Sequence, residues 1–343
     1  MATIDELHEY QIFLQRLKNI MVFSGLSPIV EQNLFYRILP YVLFAVNLMS
    51  ALATLNSCVE YQSNMEIVMK SMGIFITTTA TDLKILCVVL NWRDMRELHE
   101  TLDHIFLEVT QDRRTQRHFL KRFAVARRLS TTLIIMAFLA IGTFVIAPIA
   151  SFIFQWTHHI HPIRYILPLP TVYPWTISGG SYSYYFHLST EMLSCFAIFV
   201  VACSVDALFP VYIFQISGQL DAMSYQLDAL KADDNYDMII RNCARKHQML
   251  LRCRDIIEAV YGPIIIWMLM TTAIVLCALT FQLSKVGHFK NHIDWMHIAD
   301  LIRLSSVGEL CFRTSFSRRG LHGLEDVADV HLRLFRHRLN FSE

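Results

Sequence analysis

The sequence of 343 residues contains few charged residues, no glycine-rich motif and no pattern of paired cysteines. Lys, Arg, Asp and Glu make up 17% of the chain, whereas an average soluble domain carries about a quarter. The 11 glycines are scattered and form neither a phosphate-binding loop nor a nucleophile elbow. Of the eight cysteines, four lie in apolar runs and two in a charged segment, which is not a disulfide framework. These shortages argue against an enzyme, and no cofactor is predicted.

The first thirty residues also lack the features of a cleaved signal peptide. Asp5, Glu6 and Glu9 stand where such a peptide would carry basic residues, and no apolar core precedes a small-residue cleavage site. We therefore expect the first membrane span to act as its own insertion signal.

The chain does contain long apolar runs. The clearest, from Ala259 to Ser284, has 26 residues without a charge, enough at about 1.5 Å per residue to cross a hydrocarbon core of roughly 30 Å. Similar runs cover residues 38–59, 67–90, 133–156 and 186–215. The sequence therefore predicts an all-α, polytopic transmembrane helical protein with five clear spans and a degenerate sixth.

The cations are distributed unevenly between the connecting segments. Nine Lys and Arg residues lie between residues 91 and 128, and six between 231 and 254, whereas residues 158–182 contain Arg164 alone. Cytoplasmic loops carry the excess of cations, so we predict a cytoplasmic N-terminus. Attraction to anionic lipid explains the basic run of residues 113–128 without a nucleic-acid partner.

The predicted organisation follows from these runs. It comprises a cytoplasmic N-terminal segment (1–37), spans one to four (38–215) with an outer loop (157–185), a cytoplasmic helical stalk (216–258), the fifth span (259–284), an outer loop with the start of span six (285–306), and an atypical C-terminal tail (307–343).

Apart from Lys70 near the outer end of the second run, four charged residues fall inside apolar runs: Asp82, Lys84, Glu191 and Asp206. A charge in hydrocarbon is costly and faces a partner or water. Asp82 and Lys84 are two residues apart on one helix and cannot face each other, so each needs a partner on another span. These charges indicate either an ion or gating path, or interhelical pairing near the cytoplasmic interface.

The histidines do not form a metal-binding pattern. His158, His159 and His161 lack cysteine or carboxylate partners at a ligating spacing. His288 and His292 are four apart, but no Glu lies between them. We predict wet interfacial histidines and no metal site.

Three stretches resemble the insect odorant receptor family, in a hymenopteran-like form. They are LPLPTVYPW from Leu167 to Trp175, the following SYSYYFHLSTEM, and the run from Arg245 through the fifth span. The resemblance covers about residues 10–300. It implies a seven-span subunit that forms a hetero-tetramer with a shared co-receptor, and an odorant-gated, non-selective cation channel in the plasma membrane of sensory dendrites.

The family places its ligand pocket in the outer halves of the second, third, fourth and sixth spans. A small volatile hydrophobic ligand suits an apolar cavity, and methionine adapts to varied shapes. The matching positions here are Met69, Met72, Gly73, Ile76, Val145, Ile149, Phe152, Tyr185, Thr190 and Met192. Each of them could instead pack against a neighbouring helix or face lipid. Tyr173, Pro174 and Trp175 are expected to act as a lid and interfacial anchor of the outer loop.

The end of the sequence departs from the family pattern. Residues 307–343 contain no apolar run long enough to cross a membrane, whereas the family has a pore-lining seventh span. An altered reading frame, an unusual splice product or an incomplete gene model would explain this, and the chain would then not conduct. Two alternatives remain: a membrane carrier of small hydrophobic molecules or ions, and a truncated interfering subunit.

Overall fold

The structure, a computed structural model, describes residues 2–28, 34–109, 113–159, 165–175, 177–228 and 236–286. In order, the helices are α1 (Ala2–Phe23), α2 (Leu34–Glu60), α3 (Met65–Leu90), α4 (Trp92–Val109), α5 (Arg113–Thr157) and α6 (Tyr182–Val201), then a π-helix (Ala202–Asp206), α7 (Ala207–Asp228) and α8 (Tyr236–Val286). The prediction of an all-helical protein is confirmed for these residues.

Five helical stretches of the described residues are long and apolar enough to cross a membrane. They are Leu34–Glu60, Ile67–Leu90, Ala124–Thr157, Tyr182–Leu227 and Met238–Ile274. The five predicted spans are therefore present. The degenerate sixth span and the tail fall largely in residues 287–343, outside the described ranges, so the missing pore helix stays a prediction.

Several helix boundaries differ from those read off the apolar runs. α6 begins at Tyr182 rather than Phe186, because the Ser181 hydroxyl accepts a hydrogen bond from the Tyr184 N–H at 3.3 Å and caps the first turn. α5 begins at Arg113, twenty residues before the predicted span, so the cationic segment is a continuation of the same helix. Charge ended the apolar runs but did not end the helices.

At the basic end of the bundle, the N-terminal helix packs into the main hydrophobic core. Tyr10, Leu17 and Met21 of α1 are buried and share one cluster with Met95 and Leu98 of α4. The spacing of the buried α4 residues (Met95, Leu98, Leu102 and Ile105) is that of one helix face. The N-terminal segment is therefore packed onto the bundle rather than free in solution.

A polar network joins three spans inside the membrane region. The Asn47 amide of α2 donates to Asp82 Oδ1 at 2.9 Å and to the Thr78 carbonyl at 2.8 Å, both on α3. The Ser194 hydroxyl of α6 donates to Asn47 Oδ1 at 2.9 Å. Because lipid offers no hydrogen bonds, such groups must satisfy one another, and doing so fixes the relative register of the helices.

The π-helix interrupts the fourth span four residues before Pro210. Proline has no N–H to donate to the carbonyl four residues earlier, so the backbone here needs other partners. The Tyr261 hydroxyl of α8 donates to the Val205 carbonyl at 3.2 Å, and the Ser130 hydroxyl of α5 donates to the Ala207 carbonyl at 2.7 Å. Side chains from two other spans thus stabilise the irregular segment.

Candidate ligand-binding site

The outer loop between α5 and α6 enters the helix bundle. Leu169 and Tyr173 are only 4% and 8% exposed. The Val172 N–H donates to the Ala53 carbonyl of α2 at 3.2 Å, and the Asn56 amide of α2 donates back to the Val172 carbonyl at 3.0 Å. The loop backbone at Val172 is therefore hydrogen-bonded to a membrane span through both its N–H and its carbonyl group.

Glu191 of α6 attaches the same loop from the other side. Its side chain is fully buried and accepts hydrogen bonds from the Leu169 N–H at 3.0 Å, the Tyr173 hydroxyl at 3.2 Å and the Thr171 hydroxyl. Burial raises the pKa of the Tyr173 phenol, and the nearby Glu191 raises it further, so the phenol stays protonated and donates. The carboxyl group of Glu191 thus orders alternate residues of the loop, namely Leu169, Thr171 and Tyr173.

Aromatic side chains provide a second attachment. The Trp175 indole N–H donates to His187 Nε2 at 2.9 Å, and the His187 ring lies 4.1 Å from the Tyr173 ring, measured between centroids. Of the predicted lid and anchor residues, Tyr173 is buried, whereas Pro174 and Trp175 are exposed. This arrangement fits a loop whose inner side is fixed and whose outer side meets the membrane interface.

An apolar cluster lies beneath the loop, where α3, α5 and α6 meet. Ile74, Leu169 and Cys195 form its buried part, and the half-buried Phe144 and Val145 of α5, with Ile141, pack against them. A Cβ added to Gly73 would meet no atom within 4 Å, and the same holds for Gly142. Small, mostly apolar sites of this kind suit apolar ligands.

The predicted ligand-binding residues divide into two groups. Val145 packs into the cluster, Thr190 is buried, and Met69, Gly73, Ile76 and Met192 are half-buried. Met72, Ile149, Phe152 and Tyr185 are between 39% and 55% exposed and point away from the interior of the chain. The exposed group fits the alternative of a face turned to lipid. Ligand contact stays a prediction for all ten.

The four intramembrane charges have different environments. Lys84 of α3 forms an ion pair with Asp206 of the π-helix at 2.7 Å. Asp82 accepts from Asn47, but its Oδ2 atom has no hydrogen-bond partner among the described residues. For Glu191, the prediction of interhelical pairing near the cytoplasmic interface is wrong. Its partners belong to the outer loop and not to a span.

Sequence reasoning missed several residues of the cluster. Ile74, Ile141, Phe144, Leu169 and Cys195 look like ordinary apolar residues of spans and loop. One available signal was Glu191 itself, since a carboxyl group in the outer half of an apolar span needs donors, and the neighbouring loop offers hydroxyl and backbone N–H groups. Its partners could not be identified without the path of the loop.

The fold and the site define a helical multi-pass membrane protein with an apolar cluster beneath a tethered outer loop. The sequence model of the 7tm odorant receptor family matches residues 64–295, more than half of the chain, and the chain therefore belongs to this family. No curated protein sequence matches it.

Solved structures agree with this fold. The insect olfactory receptor OR5 from Machilis hrabei is similar with a TM-score of 0.72 and 15% identity, over 96% of this chain and 83% of that one. The same receptor in complex with eugenol is similar with a TM-score of 0.67 and 15% identity, over 90% of this chain and 79% of that one. At this identity the likeness shows the fold alone.

Proposed function

We propose that this chain is the ligand-recognising subunit of an odorant-gated, non-selective cation channel, formed with a shared co-receptor in the plasma membrane of sensory dendrites. Membership of the odorant receptor family supports the class of function. The observation that carries the site is the apolar cluster of Ile74, Leu169 and Cys195 beneath the loop held by Glu191. A hymenopteran-like subfamily is part of the same proposal.

The ligand is a small volatile molecule that is mostly apolar. It would contact Val145 and Phe144 of α5 and occupy the space beside Gly73 of α3. α5 is the most exposed of the spans, with only 11% of its most apolar stretch buried within the chain. The OR5 complex with eugenol is consistent with a ligand of this size.

Ligand binding would change the arrangement of the helices on the cytoplasmic side through the π-helix. α6 carries Cys195 of the cluster, and the π-helix that follows it is tied to α3 by the Lys84–Asp206 ion pair. π-bulges often occur at functional sites, because they can shift without unfolding the flanking helices. A ligand that favours one arrangement of α6 would thereby bias the helices below it.

The test is a substitution that places a larger side chain in the space beside the cluster. In cells that express the chain with the co-receptor, an odorant panel would first identify an agonist that evokes a cation current. Gly73→Val should then raise the half-maximal agonist concentration about tenfold or more, because adding a branched side chain to a ligand site costs on the order of 1–3 kcal/mol. Gly262→Val is the matched control, since a Cβ there also meets nothing within 4 Å but lies on α8.

Three outcomes would contradict the proposal. Equal agonist sensitivity of the wild type and the Gly73→Val variant, at equal surface expression, would move the ligand elsewhere. Uptake of the ligand or ions without any need for the co-receptor would instead support the carrier. An absence of current together with suppression of a second, intact receptor would support the interfering subunit, as expected if residues 307–343 contain no pore helix.

A further inference from the structure

A cleft of about 510 Å³ lies at the basic end of the bundle, where α3 ends, whereas Ile74 of the apolar cluster lies in the first half of that helix. Its walls are the first turns of α2 and the junction of α3 with α4, and Gly25 closes one side. α2 begins and α3 ends here, on the side that the cation distribution assigns to the cytoplasm. The cleft therefore lies at the level of the inner-leaflet headgroups.

Two arginines in the cleft wall carry charge that the described chain does not neutralise. Arg37 and Arg93 are exposed, and neither forms an ion pair with any residue of the described ranges. Their neighbours behave differently: Arg96 bonds to Glu100 at 2.9 Å, and Arg252 bonds to Glu97 at 3.1 Å. Arginine is well suited to bind phosphate and carboxylate groups, because its planar guanidinium can donate two parallel hydrogen bonds.

One acidic side chain shares the cleft. Asp94 lies beside Arg93 in the wall, and its side chain is 40% exposed. Its contact with Arg252 is long, at 3.5 Å, and the shorter contacts of that arginine go to Glu97. The cleft thus presents two guanidinium groups and one carboxylate to a ligand.

An apolar stripe leads from the cleft into the membrane. Ile38, Tyr41, Leu48 and Leu52 of α2 are between 40% and 60% exposed and recur at helical spacing along one face. Tyr41 belongs to both the cleft and the stripe. Trp92, also in the cleft wall, is of a residue type that favours the level of the headgroups.

We propose that the cleft binds one phospholipid of the phosphatidylserine type from the inner leaflet. Arg37 and Arg93 match the phosphate and carboxylate of the headgroup, Asp94 matches its ammonium group, and the acyl chains lie along the stripe of α2. The stripe favours a lipid over a soluble phosphate ester. Asp94 favours an amino-bearing anionic headgroup over one that is only anionic.

The proposal can be tested on the full chain in nanodiscs of phosphatidylcholine that contain a small fraction of either phosphatidylserine or phosphatidylglycerol. Native mass spectrometry of the released protein counts the bound lipid. Arg37→Gln and Arg93→Gln should each lower phosphatidylserine retention about fivefold, the factor that corresponds to one cation near an anionic surface. Arg93→Lys, which keeps the charge, should lose less.

Matched variants separate this site from general attraction to the basic surface. Arg96→Gln lies on the same helix but outside the cleft, and it should retain phosphatidylserine as the wild type does. Asp94→Asn should reduce the preference for phosphatidylserine over phosphatidylglycerol. An unchanged midpoint of thermal unfolding confirms that each variant is folded.

Three results would overturn the proposal. They are equal losses in Arg96→Gln and Arg93→Gln, retention that none of the variants changes, and complete displacement of the lipid by soluble glycerophosphoserine. The last result would mean that the headgroup alone is the ligand and that the stripe of α2 contributes nothing.

Discussion

At the residue scale, Glu191 shows how one buried side chain orders a loop. Its carboxyl oxygens accept from Leu169, Thr171 and Tyr173, which would otherwise be donors without water inside the bundle. The sequence indicated that Glu191 is costly in hydrocarbon and needs partners. It did not show that the partners are a loop backbone and two hydroxyl groups, because that depends on the loop folding inward.

Replacing Glu191 tests this role. A glutamine has one carbonyl oxygen in place of two carboxyl oxygens, so Glu191→Gln leaves at least one buried donor without an acceptor. A loss of about 1–3 kcal/mol in the free energy of unfolding is expected. Thermal unfolding of the purified protein would measure the loss, and proteolysis of the outer loop should become faster.

Glu60→Gln is the control for this substitution, because Glu60 is exposed at the outer end of α2. The two variants differ only in whether the carboxyl group accepts from the loop. If both unfolded at the wild-type temperature and the loop kept its resistance to protease, Glu191 would not hold the loop in place.

At the element scale, the docking of α1 depends on a buried polar cluster shared with α4 and α7. The Tyr212 hydroxyl of α7 donates to His99 Nε2 at 2.8 Å, and His99 Nδ1 donates to the Met95 carbonyl at 2.8 Å. Nearby, Lys18 of α1 pairs with Asp103 of α4 at 2.6 Å. Because Nδ1 donates to the carbonyl, the neutral ring accepts from the Tyr212 hydroxyl at Nε2.

This arrangement predicts an acid-sensitive fold. Burial lowers the pKa of His99 from 6.5 to about 4. Between these two pH values the unfolded chain binds a proton that the folded chain does not, so stability is fully present above pH 6.5 and falls as the pH drops towards 4. The loss approaches about 3 kcal/mol at the acid end.

The measurement is the free energy of unfolding as a function of pH for the wild type and two variants. His99→Gln removes the titrating ring and should flatten the acid slope, at some cost in stability at neutral pH. His104→Gln, at an exposed position on the same helix, should keep the wild-type slope. Identical slopes in all three proteins would exclude His99 as the cause.

The helices themselves were more predictable than their ends. Every predicted span is helical throughout, although the fourth runs through α6, the π-helix and α7, because apolar runs of this length have no other stable form in lipid. The starts of α5 and α6 were placed too late, since one continues into charged residues and the other begins at the Ser181 cap. α4 was not predicted although its apolar residues follow helical spacing, because the many charges of this segment were used only to predict orientation.

At the scale of the whole molecule, the orientation of the chain decides what each end can do. The apolar cluster faces outside and the arginine cleft faces inside only if the N-terminus is cytoplasmic. The positive-inside rule gives this orientation from the excess of cations in residues 91–128 and 231–254. It also separates this chain from receptors of seven helices with an outward N-terminus.

Epitope tags provide the check in intact cells. A tag at the N-terminus should bind antibody only after permeabilisation. A tag between α2 and α3, where Tyr61, Gln62 and Ser63 are exposed, should bind antibody without it. Staining of an N-terminal tag on unpermeabilised cells would reverse the topology and would place the cleft outside.

The sequence by itself determined the class of protein and the five spans and predicted their direction, because length, apolarity and cation placement act locally and need no tertiary contact. Only the tertiary structure decided which residues meet. The pairing of Lys84 with Asp206, the entry of Leu169 into the bundle and the packing of Val145 rather than Phe152 against the apolar cluster depend on how the helices are rotated and where the loop turns. In a span that is apolar on every face, periodicity carries little information about rotation, so packing and polar contacts between spans set it.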